Sequence, residues 1–133
     1  MKTHAFRLLP GDDLKAGINK FIAEKHISAA VVLACVGSLS KASLRLANAS
    51  EPILMEEKFE IVAMEATLSI AGSHIHIALA DKNGNLKAGH LAEPSTVFTT
   101  AELVIAELDS LIFTREPDAA TGYKELVVKN QQQ

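Results

Sequence analysis

Tryptophan is absent from this chain of 133 residues, which has one tyrosine, one cysteine and four prolines. A lone cysteine, Cys35, excludes an intrachain disulfide framework and suits a reducing compartment, so the cytoplasm is the expected location. Cys35 lies inside the apolar run Ala29 to Val36 and reads as a small buried hydrophobe, not a nucleophile. No stretch reaches the roughly 18 apolar residues that a membrane-spanning helix needs. The opening MKTHAFRLLPGDD has no long apolar centre and does not read as a secretory leader. Walker loops, dinucleotide fingerprints and nucleophile elbows are missing. The formal net charge is −3, which argues against a general electrostatic grip on nucleic acid, although a local basic patch could still contact it.

What is present is a globular composition: 48% apolar and 22% charged residues. The length suggests one domain, assigned to residues 1–128, with a loose polar tail at 129–133. His4 to Leu9 reads as a first strand, broken by Pro10-Gly11. Leu14, Ile18, Phe21 and Ile22 fall on one stripe of a long N-terminal amphipathic helix, about Asp13 to Lys25, capped by Asp12 or Asp13. Gly17 within that helix suggests close packing, and His26 falls where the helix closes. Ala29 to Val36 reads as a buried central strand, Gly37 to Ser40 as a turn, and Ala42 to Ala47 as the next strand. Ile53 to Met55 fits a short edge strand. Phe59 to Ile70 fits a long strand with a bulge near Ala66. Thr96 to Leu108 is read as a strand after a proline-containing loop at Ala92 to Ser95. Leu111 to Arg115 and Gly122 to Val128 complete the set, with Tyr123 assigned to packing. The class is α+β: a mainly antiparallel sheet with one helix and short helical turns.

The stretch Ser73 to Leu91 carries the chemistry. Ile75, Ile77 and Leu79 alternate with His74, His76 and Ala78, and Asp81-Lys82-Asn83-Gly84-Asn85 is a hairpin turn. A two-residue loop would pair His90 with Ile77. A three-residue loop, Lys82 to Gly84 with Gly84 in the left-handed region, pairs His90 with His76 and puts three imidazoles on one face. Three histidines on a rigid hairpin suit zinc, nickel, iron or copper, zinc being the first choice. The alternative is a solvated strand face with no ligand role. Glu102, on a core strand, is a candidate to orient an imidazole from behind or is simply solvated. Arg7 and Arg115 are expected to pair with carboxylates such as Asp13 and Asp118.

Several blocks together resemble the PPC ("plants and prokaryotes conserved") domain. They are Arg7 with Leu9-Pro10-Gly11-Asp12-Asp13-Leu14; Val36-Gly37-Ser38-Leu39-Ser40; Phe59-Glu60-Ile61; Thr67-Leu68-Ser69; His74-Ile75-His76-Ile77 with Ala80-Asp81, Gly84 and Gly89-His90-Leu91; Thr99-Thr100-Ala101-Glu102; and Arg115 with Thr121-Gly122-Tyr123. The resemblance implies an α/β fold around an antiparallel sheet and a homotrimer. It also implies that His74, His76 and His90 occupy positions some members use for a metal. Plant members carry an AT-hook for A·T-rich DNA; bacterial stand-alone members resemble the domain without it. No Arg-Gly-Arg-Pro hook occurs here. Glu57-Lys58 stand where the plant pattern has Gly-Arg, and Ala66, Ala88 and Pro94 where glycines are usual. Three functions follow as expectations. The first is a trimeric metal-binding module in regulation, with DNA or a protein as partner. The second is a small metal-dependent enzyme, and the third is a purely structural trimer. No catalytic residue is assigned.

Overall fold

The computed structural model describes residues 1–132. In chain order it contains β1 (Lys2–Leu8), α1 (Leu14–Glu24), β2 (Ala30–Arg45), β3 (Ile53–Met55), β4 (Phe59–Leu68), β5 (His74–Ala80), β6 (Leu86–Glu107), β7 (Leu111–Pro117) and β8 (Lys124–Asn130). The first six strands form one antiparallel sheet in the order β1-β6-β5-β4-β2-β3. An additional β6–β2 pairing closes β2, β4, β5 and β6 into a small barrel. Strands β7 and β8 form a separate hairpin.

Two strands run far longer than local sequence suggests. Strand β2 passes straight through Gly37 to Ser40, and β6 through Pro94, where turn and loop were expected. Register shifts between Val32 and Ala34, Gly37 and Leu39, Leu39 and Lys41, and Lys41 and Ser43 absorb the irregular residues as bulges. Their polar groups are satisfied across the strands. Ser38 Oγ lies 2.8 Å from Thr99 Oγ1, and Ser43 Oγ donates to Pro94 O at 2.7 Å. The β4 irregularity falls between Ile61 and Ala63, not at Ala66.

The N-terminal helix is short, eleven residues, and no second helix forms among the described residues; a single helical turn is closed where the Gly122 N–H donates to Asp118 O. Asp13 caps it through its side chain and the Ala16 N–H; its other carboxylate oxygen accepts from the Ser95 N–H at 2.6 Å, tying the helix start to β6. His26 ends it with φ 54°, its N–H donating to Ala23 O. Leu14, Ile18 and Ile22 are fully buried in one core with Leu44, Phe59, Leu68, Ile75, Leu79, Leu91 and Leu103. Gly17 does mark close packing: a Cβ there would lie 2.7 Å from both Leu8 methyls.

Three other expectations are corrected. The tail is not loose from Lys129: β8 pairs Lys129 with Ile112 and Asn130 with Leu111, and Gln131 N–H donates to Ser110 O; Gln133 lies outside the described residues. Tyr123 is exposed and stands outside the core. Arg7 and Arg115 form no ion pair with Asp13 or Asp118. Arg7 Nε donates to Thr100 Oγ1 and an Arg115 guanidinium N–H to Thr67 Oγ1, because both arginines face strand hydroxyls instead of loop carboxylates.

Cys35 is buried, and burial pushes its thiol up to about 12. A neutral thiol reagent at pH 8 is therefore expected to leave the native chain unmodified and to label it on unfolding in guanidinium, as mass spectrometry would show.

Candidate metal centre

The β5–β6 hairpin builds the site. The Asp81 N–H donates to Asn85 O, the Gly84 N–H donates to Asp81 O, and Gly84 takes φ 81°. That is the three-residue loop with a left-handed glycine at its end. Asp81 Oδ1 accepts from the Asn83 and Asn85 N–H groups, which fixes the loop length and holds its carboxyl below the usual range. The register follows: His76 faces His90, Ala78 faces Ala88, and Ala80 faces Leu86. Ile75, Ile77 and Leu79 turn into the core, so His74, His76 and His90 share the outer face.

The three imidazoles converge. His74 Nε2 and His76 Nε2 are 3.0 Å apart, and one nitrogen from each ring lies within 4.8 Å of the others. Ring centroids are 4.7 Å (His74–His76), 5.1 Å (His74–His90) and 5.9 Å (His76–His90) apart. Zinc bound tetrahedrally at about 2.0–2.1 Å requires ring nitrogens roughly 3.4 Å from one another, within reach of small side-chain rotations. The buried Nδ1 of His90 has no hydrogen-bond partner among the described residues. An unpaired buried nitrogen is costly, which favours a partner outside the chain for this ring.

Burial, then Arg45, His74, Lys15 and His76, press the His90 pKa down to about 4. Burial, His76, Arg115 and Arg45 lower that of His74, with Glu125 opposing them. At neutral pH His90 is thus deprotonated and available as a ligand. For a group depressed in the fold, the unfolded chain takes the proton first. The His90 contribution to stability is full above about pH 6.5. It is lost as pH falls toward about 4. Denaturant melts of chelator-treated protein are expected to show declining stability across that window.

Glu102 is not brought to the histidines. It stands opposite Arg7 and Val36 in the β-ladder, twelve positions along β6 from His90, and accepts from Thr100 Oγ1 at 3.2 Å. The long unbroken β6 carries it to the other half of the sheet. Sequence reasoning missed two residues that do flank the cluster. Glu65 faces His76 from β4, and Arg45 faces His90 from β2. A row Glu65–His76–His90–Arg45 thus crosses four strands. The even spacing of Glu65 and Thr67 along β4 held part of that signal, but only the strand registers reveal it.

A small antiparallel barrel with three histidines on one hairpin defines the class. The Plants and Prokaryotes Conserved (PCC) domain profile matches residues 1–109, and the chain belongs to this family, the PPC family named above. A hypothetical protein from Salmonella cholerae-suis superposes with a TM-score of 0.96 at 36% identity, covering 98% of this chain and 95% of that one. The metal-containing protein AF0104 from Archaeoglobus fulgidus gives 0.81 at 27%, covering 96% and 94%. Bifunctional protein GlmU of Synechococcus sp. (strain JA-3-3Ab) is 43% identical over 129 residues, 97% of this chain and 21% of that protein. The chain spans about a fifth of the length of the curated relatives it matches.

Proposed function

We propose that this chain is a metal-binding PCC-type module that holds one divalent transition metal, zinc first, on His74, His76 and His90. The observation that carries the reading is the convergence of the three imidazoles, one ring nitrogen of each lying within 4.8 Å of the others. An all-nitrogen donor set on a rigid hairpin suits zinc and its neighbours. The Archaeoglobus relative described as metal-containing supports the same reading. The test is elemental analysis of the untagged protein beside His76→Ala. About one metal per chain that disappears in the variant is expected. No metal, and none taken up on adding zinc, overturns the site and leaves a structural module.

The module works as a homotrimer in this reading. Support comes from apolar side chains on the outer barrel face: Leu33, Val36 and Val62 are all more than half exposed. Sedimentation equilibrium is expected to return three chains per particle. The reading places the protein in the cytoplasm in a regulatory role. The net charge of −3 gives little support to direct DNA contact. A gel-shift series at low salt tests it: no shift at micromolar protein removes DNA and leaves a protein or small-molecule partner. A second reading, a small metal-dependent enzyme, is favoured by one observation. Three protein ligands would leave a metal a coordination position for water or substrate, and His76 and His90 line a groove of about 470 Å³.

A further inference from the structure

We propose that the groove beside the histidines binds a small aliphatic carboxylate, its carboxylate held between the metal and Arg45 and its hydrocarbon body on a row of alanines. This rests on the metal reading above and names the class of ligand the site would take.

The groove is made by two parallel rows of outward side chains. The polar row is Glu65–His76–His90–Arg45. One step along the strands lies a row of methyl groups: Ala63 faces Ala78, and Ala78 faces Ala88. Ala47, in the turn after β2, continues that row along the groove wall. Alanines here leave a trough where larger side chains would fill the space, and the volume of about 470 Å³ is in the range of small-molecule sites.

The charge placement selects the ligand. Arg45 faces His90 and is half-buried. Its guanidinium has one hydrogen bond, NH1 to Ala49 O at 3.3 Å, and no carboxylate partner among the described residues. Four of its five N–H donors are therefore free to meet a ligand, and guanidinium geometry matches a carboxylate. Glu65 also lines the groove but stands at the opposite end of the row, with the His76 and His90 strands between it and Arg45. Glu65 forms no ion pair with Arg45, so it does not occupy the guanidinium that an anion would meet. A cation at the three histidines adds positive charge beside Arg45. A neutral apolar ligand would leave both charges unanswered. A polyanion would place charge over the alanines, where no donor meets it.

The experiment loads the protein with Co(II), whose visible spectrum reports its coordination sphere, and titrates pentanoate. The expected result is a saturable spectral change in the native protein. In Arg45→Gln the metal content should be unchanged and the pentanoate affinity at least tenfold weaker. In Ala78→Leu the metal should again be retained and the spectral response lost because the trough is filled. Cobalt uptake with no response to pentanoate overturns the carboxylate assignment and leaves the metal site intact. Equal affinity in Arg45→Gln overturns it too. So does pentanoate binding retained in Ala78→Leu, since the trough is then not where the hydrocarbon body lies. Failure to take up cobalt overturns the metal reading itself, and the proposal with it.

Discussion

Zinc is expected to raise the melting temperature of the native chain by about 15 °C at a free concentration 1,000 times its dissociation constant, and His90→Ala is expected to remove most of that shift. The arithmetic is mass action: a ligand bound only by the folded state adds about 4.1 kcal/mol at that ratio. For a chain of this length an unfolding entropy near 2.1 cal/mol/K per residue converts it to about 15 °C. Loss of even an outer group that orients a metal ligand costs 10–100-fold in affinity, so loss of a ligand should cost at least about 100-fold. That leaves about 1.4 kcal/mol and a shift near 5 °C at the same zinc concentration. His90 is the informative choice because its Nδ1 is the buried unpaired atom and its partner in the ladder, His76, is exposed. His4→Ala is the control. That histidine sits 3.1 Å from Glu107 and packs on Phe21 far from the hairpin loop, so the zinc shift should survive its loss. Differential scanning with and without zinc separates the cases. An equal shift in native protein and His90→Ala would remove His90 from the site.

The hairpin was legible because its determinants are local. Asp81, Gly84 and the alternation of His74 to Leu79 set loop length, twist and facing within 18 residues, and the observed pairing of His76 with His90 is the one the three-residue loop dictates. The short edge strand at Ile53–Met55 and the helix stripe Leu14, Ile18 and Ile22 were legible for the same reason. What misled was also local. Gly37, Ser38, Ser40 and Pro94 carry turn chemistry, but here distant strands pair with Gly37 and complete the hydrogen bonds of Ser38 and Pro94. Ser38 is buried against Thr99, and Ser95 is buried between Asp13, Ala92 and Ser43. A turn residue stays in a strand when its side chain supplies a bond the distorted ladder lacks. The flanking pair Glu65 and Arg45 needed two long-range registers at once, β4 on β5 and β2 on β6, and neither is set by a short turn alone. Glu102 was misplaced for the same reason: with β6 broken at Pro94, as the sequence suggested, its distance from His90 along one rigid strand could not be seen.

The continuity of β2 and β6 makes a second large effect expected: Gly37→Ala should cost about 3 kcal/mol or more and leave much of the chain unfolded or insoluble. Gly37 is paired on both sides, with Ile61 of β4 and Ala101 of β6. A Cβ there would lie 2.1 Å from Thr100 O and 2.8 Å from Ala101 Cα. Both are backbone atoms, so no rotamer change relieves the overlap. Strands β2 and β6 would have to separate by roughly 1 Å, breaking ladder bonds at the seam that closes the barrel, and overpacking of this kind costs about 1–3 kcal/mol even where side chains can yield. Gly84→Ala makes the contrast. Nothing lies within 4 Å of the position a Cβ would take there, but φ is 81°. The cost is then conformational alone, about 1–2 kcal/mol for an L-residue in the left-handed region. Urea melts should place Gly84→Ala a modest step below the native chain and Gly37→Ala well below it. Comparable midpoints would mean that β2 and β6 can part at Gly37 without loss, against the close approach that shapes the barrel. The zinc shift gives the link to function. Gly84→Ala disturbs the loop that sets the His76–His90 register and should weaken zinc binding out of proportion to its loss of stability. Whatever Gly37→Ala protein remains folded should keep its three histidines and bind zinc normally.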